Sequence, residues 1–342
     1  MVSRLSRGVN VFAILIVLLA ATAVSAALIV ALKPLLQRYA LARPNARSSH
    51  TIPTPQGGGI AVVLAALVCA GAGLSFSGLS ADMLRFTVLT ISMIGLGLVG
   101  AIDDIRPLPP ALRLLFQAIA VATVVSSAGV GPMFPLLPPL VEWLLICLAG
   151  IWFVNLVNFM DGLDWMTVAE MAPLSAALAL FAVIGWLDPT SGLIAAALLG
   201  GLLGFAPFNR PVARLFLGDV GSLPIGLIVG FLLYRLAGEG GLAAALLLPL
   251  YYLADATLTL FRRLARHEKV WQAHRSHFYQ RATDNGWTVL GVVKLVAALN
   301  IALALLAALS LAVDNALWQT AYVAIGAVLV AIVLRCFSRV KN

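Results

Sequence analysis

Long apolar runs follow one another along this chain: Val11 to Leu32, Gly57 to Leu79, Leu84 to Ile102, Leu114 to Leu140 and several more. Each approaches the roughly 20 residues that carry a helix across a bilayer. Period-two alternation is absent, which excludes an outer-membrane barrel. Backbone in lipid must satisfy its own hydrogen bonds, so the runs read as helices. The pattern predicts an all-α polytopic membrane protein with about eleven spans, ten being the alternative count. They fall near 11–32, 57–79, 84–102, 112–130, 139–157, 165–186, 190–207, 223–238, 241–261, 289–312 and 317–335. Residues 1–342 read as a single integral membrane domain.

Composition agrees: 62% of the 342 residues are hydrophobic and 11% charged. Ala23 to Ala26 has the small residues of a signal cleavage site, but the run continues to Leu32, so the first span is expected to stay. The three cysteines, Cys69, Cys147 and Cys336, have no metal-ligand spacing and form no disulfide framework.

Basic residues orient the spans. One set of connections holds Lys33, Arg38, Arg43 and Arg47, then Arg106 and Arg113, then Arg210 and Arg214. The same side holds Arg262, Arg263, Arg266, Lys269, Arg275 and Arg281, and finally Arg335, Arg339 and Lys341. The other side has Arg85, Arg235, Arg4 and Arg7. The rich side is expected to be cytoplasmic, with the N-terminus outside and the C-terminus inside. The net charge of +8 sits in short loops beside spans, where anionic headgroups and topology account for it. Nucleic acid is not an expected partner.

The acids are concentrated. Of 14 Asp and Glu residues, Asp103 and Asp104 end the third span and Asp161 and Asp164 end the fifth. Asp219 precedes the eighth, Asp255 lies in the ninth, and Glu268 and Asp284 lie in the large basic loop. All face the basic side. Acids at membrane depth are expensive and mark function, and acids gathered from separate loops suggest one polar site. Any one of them alone reads equally well as a helix cap or a solvated charge. In "NFMDGLD", Asn158, Asp161 and Asp164 recur every third residue, on roughly one helical face. Gly218 and Gly221 flank Asp219, as a loop close to a ligand requires. Aspartates with little sulfur favour Mg²⁺, which shares one or two carboxylates with substrate phosphates.

The loop "RRLARHEKVWQAHRSHFYQR" supplies bases suited to phosphate, including Arg275 and Arg281, with His267, His274 and His277. His274 and His277 share a helix face by spacing, but a zinc pair lacks further ligands. "RPNARSSHTIPTPQGGG" adds His50 and the turn Gly57 to Gly59, whose N–H groups are candidates to meet an anion. It is not a Walker motif, and a tight packing turn is the plainer reading.

Five segments in order, "SSHTIPTPQGGG", "AIDDIRPLPP", "NLVNFMDGLD", "FNRPVARLFLGDVGS" and "HRSHFYQR", give the chain its resemblance. It resembles the polyprenyl-phosphate N-acetylhexosamine-1-phosphate transferases (glycosyltransferase family 4), which include phospho-MurNAc-pentapeptide translocase. The resemblance implies transfer of a sugar 1-phosphate from a UDP-sugar to undecaprenyl phosphate, releasing UMP, in the bacterial inner membrane. It implies a Mg²⁺ cofactor, with Mn²⁺ as substitute, and a homodimer. Asp219 would be the principal metal ligand, with Asp104 beside it, and Asp103 the base or activator at the lipid phosphate. Asn158, Asp161 and Asp164 would line the nucleotide and metal pocket. Asn209 and Phe216 would contact the nucleoside, Phe216 stacking on uracil. His274 and His277 would meet the diphosphate or sugar. His50, Arg275 and Arg281 are further expected substrate contacts.

The peptidoglycan branch usually has His-x-His-His in the last loop. "HRSHFYQR" is closer to the O-antigen and lipopolysaccharide branch, which implies initiation of a lipid-linked envelope glycan. Trp165 stands where the family often has Gly. The alternatives are a phospho-MurNAc-pentapeptide transferase and, in another class, a transporter for an anionic solute. Transporters place polar groups at midplane and often show repeats, and neither is evident here.

Overall fold

The computed structural model describes residues 9–42, 53–79, 82–269 and 274–341. His50 lies outside them. The elements are α1 (Val11–Tyr39), β1 (Leu41–Ala42), β2 (Thr54–Pro55), α2 (Gly59–Phe76), α3 (Met83–Ile105), α4 (Pro110–Ser127) and α5 (Pro139–Met160). There follow α6 (Met166–Ile184), α7 (Pro189–Asn209), α8 (Asp219–Leu236), α9 (Leu242–Leu247), α10 (Leu250–Ala265), α11 (Phe278–Asp284), α12 (Val289–Ala312) and α13 (Ala316–Phe337). The two short strands pair antiparallel, Leu41 with Pro55 and Ala42 with Thr54.

Ten helical stretches among the described residues are long and apolar enough to cross a membrane. One of them, Asp219–Leu247, bends at Gly240, whose φ of 85° is outside helical space. Two faces of the bundle show what the bend does. Asp219, at the start of α8, meets Asp104 at the end of α3. Arg235, at the other end of α8, meets Asp188 before α7 and the carbonyl of Ala128 after α4. α10 then runs back to the first face, where Asp255 accepts bonds from the start of α11. α9 and α10 together form a return leg broken at Leu248–Pro249, in the place of the expected ninth span, and α10 is not among the ten stretches counted above. The break leaves the Tyr252 N–H without an ordinary helical partner, and the Glu170 carboxylate of α6 accepts it at 3.4 Å.

The core sits on α7 and α8, buried along nearly their whole lengths. Small residues bring backbones together, as in other membrane bundles. A Cβ at Gly200 or Gly204 would lie 2.3 or 2.5 Å from the α1 carbonyls of Leu18 and Thr22. The outer helices carry their apolar residues outward; Phe12, Ile16 and Leu19 of α1 are all exposed. That distribution suits lipid rather than water. α1 runs seven residues past its expected end because Leu36 packs on Gly57.

Candidate active site

Asp103 and Asp104 occupy the last turn of α3, and their repulsion is met by two different partners. Asp103 Oδ1 accepts the Leu108 N–H at 2.6 Å, and Oδ2 pairs with the Arg113 guanidinium of α4 at 2.6 Å. Pro110 at the first position of α4 fixes that geometry: the Pro107–Pro110 turn ends one helix, and Arg113 returns toward its acids from the first turn of the next. Asp104 accepts the N–H groups of Asp219 and Val220 at 3.0 and 3.2 Å. It thereby caps α8 from another helix, satisfying donors that the first turn leaves unpaired. Gly218 makes this approach possible. Its φ is 78°, and a Cβ there would lie 2.6 Å from Asp104 Oδ2.

The cap sets the position of Asp219. Its Oδ1 accepts the Asn158 amide at 2.8 Å, and Asn158 also donates to Ser222 Oγ at 2.9 Å. Oδ2 lies 4.0 Å from Arg113. Asp161 caps the end of α5 and accepts the Thr167 hydroxyl at 2.5 Å. Burial, then the charges of Asp104 and Asp164, push its carboxyl up to about 7 against the Thr167 bond. Asp164 accepts the Ala213 N–H at 2.8 Å.

Asp104, Asn158, Asp161, Asp164, Asn209, Phe216 and Asp219 all line one cavity of about 620 Å³. The three-residue spacing of Asn158, Asp161 and Asp164 thus gathers them, although the helix ends at Met160 and the turn does the rest. Asp103 is not in the wall; it holds Arg113 from behind. Asn209 accepts the Trp165 N–H at 2.7 Å and donates to the Leu215 carbonyl at 2.9 Å, so its amide ties loops together beside the cavity. Trp165 has φ of 65°, the region in which Gly is least strained, and its indole N–H donates to the Ala206 carbonyl at 2.6 Å.

The glycine turn takes its plainer reading, and the histidines are placed differently from expectation. The N–H groups of Gly57 and Gly58 donate to the Phe216 carbonyl at 3.1 and 2.9 Å, and that of Gly59 to Leu217 at 2.9 Å. They are consumed in fixing Phe216 rather than offered to an anion. The glycines are needed for packing: a Cβ on Gly59 would lie 2.1 Å from Gly221 Cα. His274 and His277 do not line the acid cavity. His277 is buried and its Nδ1 lies 3.1 Å from Asp255 Oδ1, while its ring stacks on His274 at 4.9 Å. Asp255 also accepts the N–H groups of Phe278 and Tyr279, which makes this acid a buried anchor for α11. Arg275 and Arg281 line a second cavity of about 380 Å³ on the other side of α11. Gln280, between the two sets, lines the acid cavity.

Arg113, Thr167 and Gln280 were not singled out from the sequence. Arg113 carried a signal: a cation in the first turn of a helix opposes the dipole and needs a reason. Among the described residues no three His, Cys, Asp or Glu side chains close into a metal cage. The donor set still fits Mg²⁺, because carboxylate and amide oxygens in an open cavity leave positions for water and phosphate.

Residues 86–237 match the family model described as Glycosyl transferase family 4. A probable undecaprenyl-phosphate N-acetylglucosaminyl 1-phosphate transferase of Bacillus subtilis is 25% identical over 275 residues, covering 75% of each chain. A phospho-N-acetylmuramoyl-pentapeptide-transferase of Deinococcus radiodurans is 33% identical over 195 residues, 51% of this chain and 59% of that one. A decaprenyl-phosphate N-acetylglucosaminephosphotransferase of Mycobacterium leprae is 28% identical over 301 residues, 75% of this chain and 73% of that one. The matched segment runs from α3 through α8 and contains Asp103, Asp104, Asn158, Asp161, Asp164 and Asp219. Over residues 86–237 the chain is similar to glycosyl transferase family 4.

Proposed function

We propose that the protein transfers a sugar 1-phosphate, an N-acetylhexosamine or related amino sugar, from a UDP-sugar to undecaprenyl phosphate. The observation that carries this reading is the Asp219 carboxylate. It sits at the start of α8, held by Asn158 on one side and near Arg113 on the other, in a wall with three further carboxylates. Acids alone would repel phosphates, so a cation belongs with them. Mg²⁺ held by Asp219, with Asp104 and Asn158 alongside and Mn²⁺ as substitute, would neutralise charge on the reacting phosphates.

In the reaction, an oxygen of the acceptor phosphate bonds to the sugar-linked phosphorus, the anhydride bond to UMP breaks, and UMP leaves with the electron pair. Phosphoryl transfer needs placement and charge compensation more than covalent help. Both oxygens of Asp103 are already bonded, which supports a positioning role through Arg113 rather than proton abstraction. Phe216 offers a face for uracil stacking, and Asp161 and Asp164 border the donor. The acid face is the cytoplasmic one on this reading, since the basic loops share it, and the membrane is the bacterial inner membrane. The product starts a lipid-linked envelope glycan such as O-antigen.

The Deinococcus radiodurans relative favours a second reading, in which the donor is UDP-MurNAc-pentapeptide. One experiment separates them. The purified protein, Mg²⁺ and undecaprenyl phosphate are offered a panel of UDP-sugars with UDP-MurNAc-pentapeptide among them, and UMP release is measured. Release with an amino sugar alone supports the main reading. Release with none counts against both.

A further inference from the structure

We infer that the arginine cavity between α10 and the 275–281 segment is a second anion site, which takes a phosphate-bearing group and is separate from the acid cavity. Five guanidinium groups, from Arg262, Arg263, Arg266, Arg275 and Arg281, line it against the single carboxylate of Glu268. Arg263 pairs with Glu268 at 2.8 Å and Arg275 with Asp284 at 3.2 Å. Arg262 instead lies over the Phe278 ring at 4.6 Å. Among the described residues no carboxylate forms an ion pair with Arg262, Arg266 or Arg281.

Like charges packed around one hollow repel, and the structure answers that repulsion very differently in the two cavities. At the acid cavity each oxygen of Asp104 accepts a backbone N–H, and Asp103, behind the wall, is paired with Arg113. The arginines keep an excess of donors, and Arg275 Nε is buried with no hydrogen-bond partner among the described residues. A buried unpaired donor on a cation is costly, and an anion in the cavity removes that cost. Planar guanidinium groups converging on one space match the oxygens of a phosphate.

The site is distinct. The two cavities share no lining residue, and α11 stands between them, with Gln280 on one side and Arg281 on the other. The arginine cavity also lies outside residues 86–237. It sits at the end of α10, which exposes Leu258, Phe261 and Leu264. That places it at headgroup level, within reach of both a bilayer phospholipid and a soluble phosphate.

The test needs no turnover, so it stands or falls independently of the proposed reaction. Wild-type protein and the Arg262→Gln/Arg266→Gln variant are placed in phosphatidylcholine nanodiscs and their thermal midpoints recorded. Inorganic phosphate is then added at constant ionic strength in one arm, and phosphatidylglycerol replaces part of the lipid in the other. Binding to the folded state raises the midpoint. The wild type should rise in at least one arm, the responding arm identifying the source, and the variant should lose at least half of that rise. If the double variant does not fold, Arg266→Gln alone should reduce the rise. Equal rises in all proteins, or none in either arm, would overturn the inference. So would a variant that keeps the full rise.

Discussion

Gly100→Ala is the smallest change that should disable the proposed chemistry without touching an acid. A Cβ at position 100 would lie 2.3 Å from the Asp219 carbonyl oxygen, 2.4 Å from its carbon and 2.6 Å from the Val220 nitrogen. These are backbone atoms of the turn that Asp104 caps, so no side-chain rotation relieves the overlap. Restoring ordinary contact requires α3 and α8 to part by about 1 Å, an overpacking cost of about 1–3 kcal/mol. A misplacement of about 1 Å at a reacting group costs on the order of 100-fold in rate. Turnover, read as UMP release at saturating substrates, should therefore fall by roughly two orders of magnitude, while the protein still inserts and keeps its helical circular dichroism. Gly97→Ala is the control, one turn earlier on the same face. Its Cβ would meet Pro224 Cγ and the Val220 carbonyl at 3.6 Å, ordinary contact distance, and turnover should stay near wild type. Wild-type turnover in Gly100→Ala would refute the idea that this contact places Asp219.

Asp219→Asn should abolish Mg²⁺-dependent UMP release; Mg²⁺ should also raise the thermal midpoint of the wild type, reversibly with a chelator, but not that of the variant. Trp165→Phe deletes the indole donor to Ala206 and should cost about 1 kcal/mol, seen as a lower midpoint. Burial first, then His277 and Arg263, hold the His274 imidazole down to about 4 from 6.5. Between those two values the unfolded chain binds a proton that the folded one refuses, so stability falls as pH drops through that window. His274→Asn should flatten that slope in thermal melts taken from neutral to mildly acidic pH.

The spans were legible because lipid imposes one demand on every outward residue, and apolar runs record it directly. The run 289–312 and α12 coincide, and most other ends agree within a few residues. The eighth span was read from residue 223, yet α8 starts at Asp219. Its polar first turn looked like loop because its cap, Asp104, comes from a helix far away in sequence. The start of α1's last turns was hidden by Lys33 and Pro34, which the packing of Leu36 overrides. At the site, acids announced themselves by being out of place in an apolar chain. The histidines announced themselves equally well, but composition cannot say that Asp255 draws His277 inward. Arg113 was read as a topological charge because its partner lies across a proline turn. Trp165 stood out as a departure, and its left-handed backbone explains why a glycine is the easier residue there.

α11 is a seven-residue helix serving as a common wall, with neighbouring side chains turned to opposite chambers. A partition of that kind obeys thermodynamic reciprocity. If an occupant of the arginine chamber shifts α11 and changes donor affinity by some factor, the donor must change the affinity of that occupant by the same factor. Charge at the membrane surface and supply of nucleotide sugar would then be read by one element, each reporting on the other.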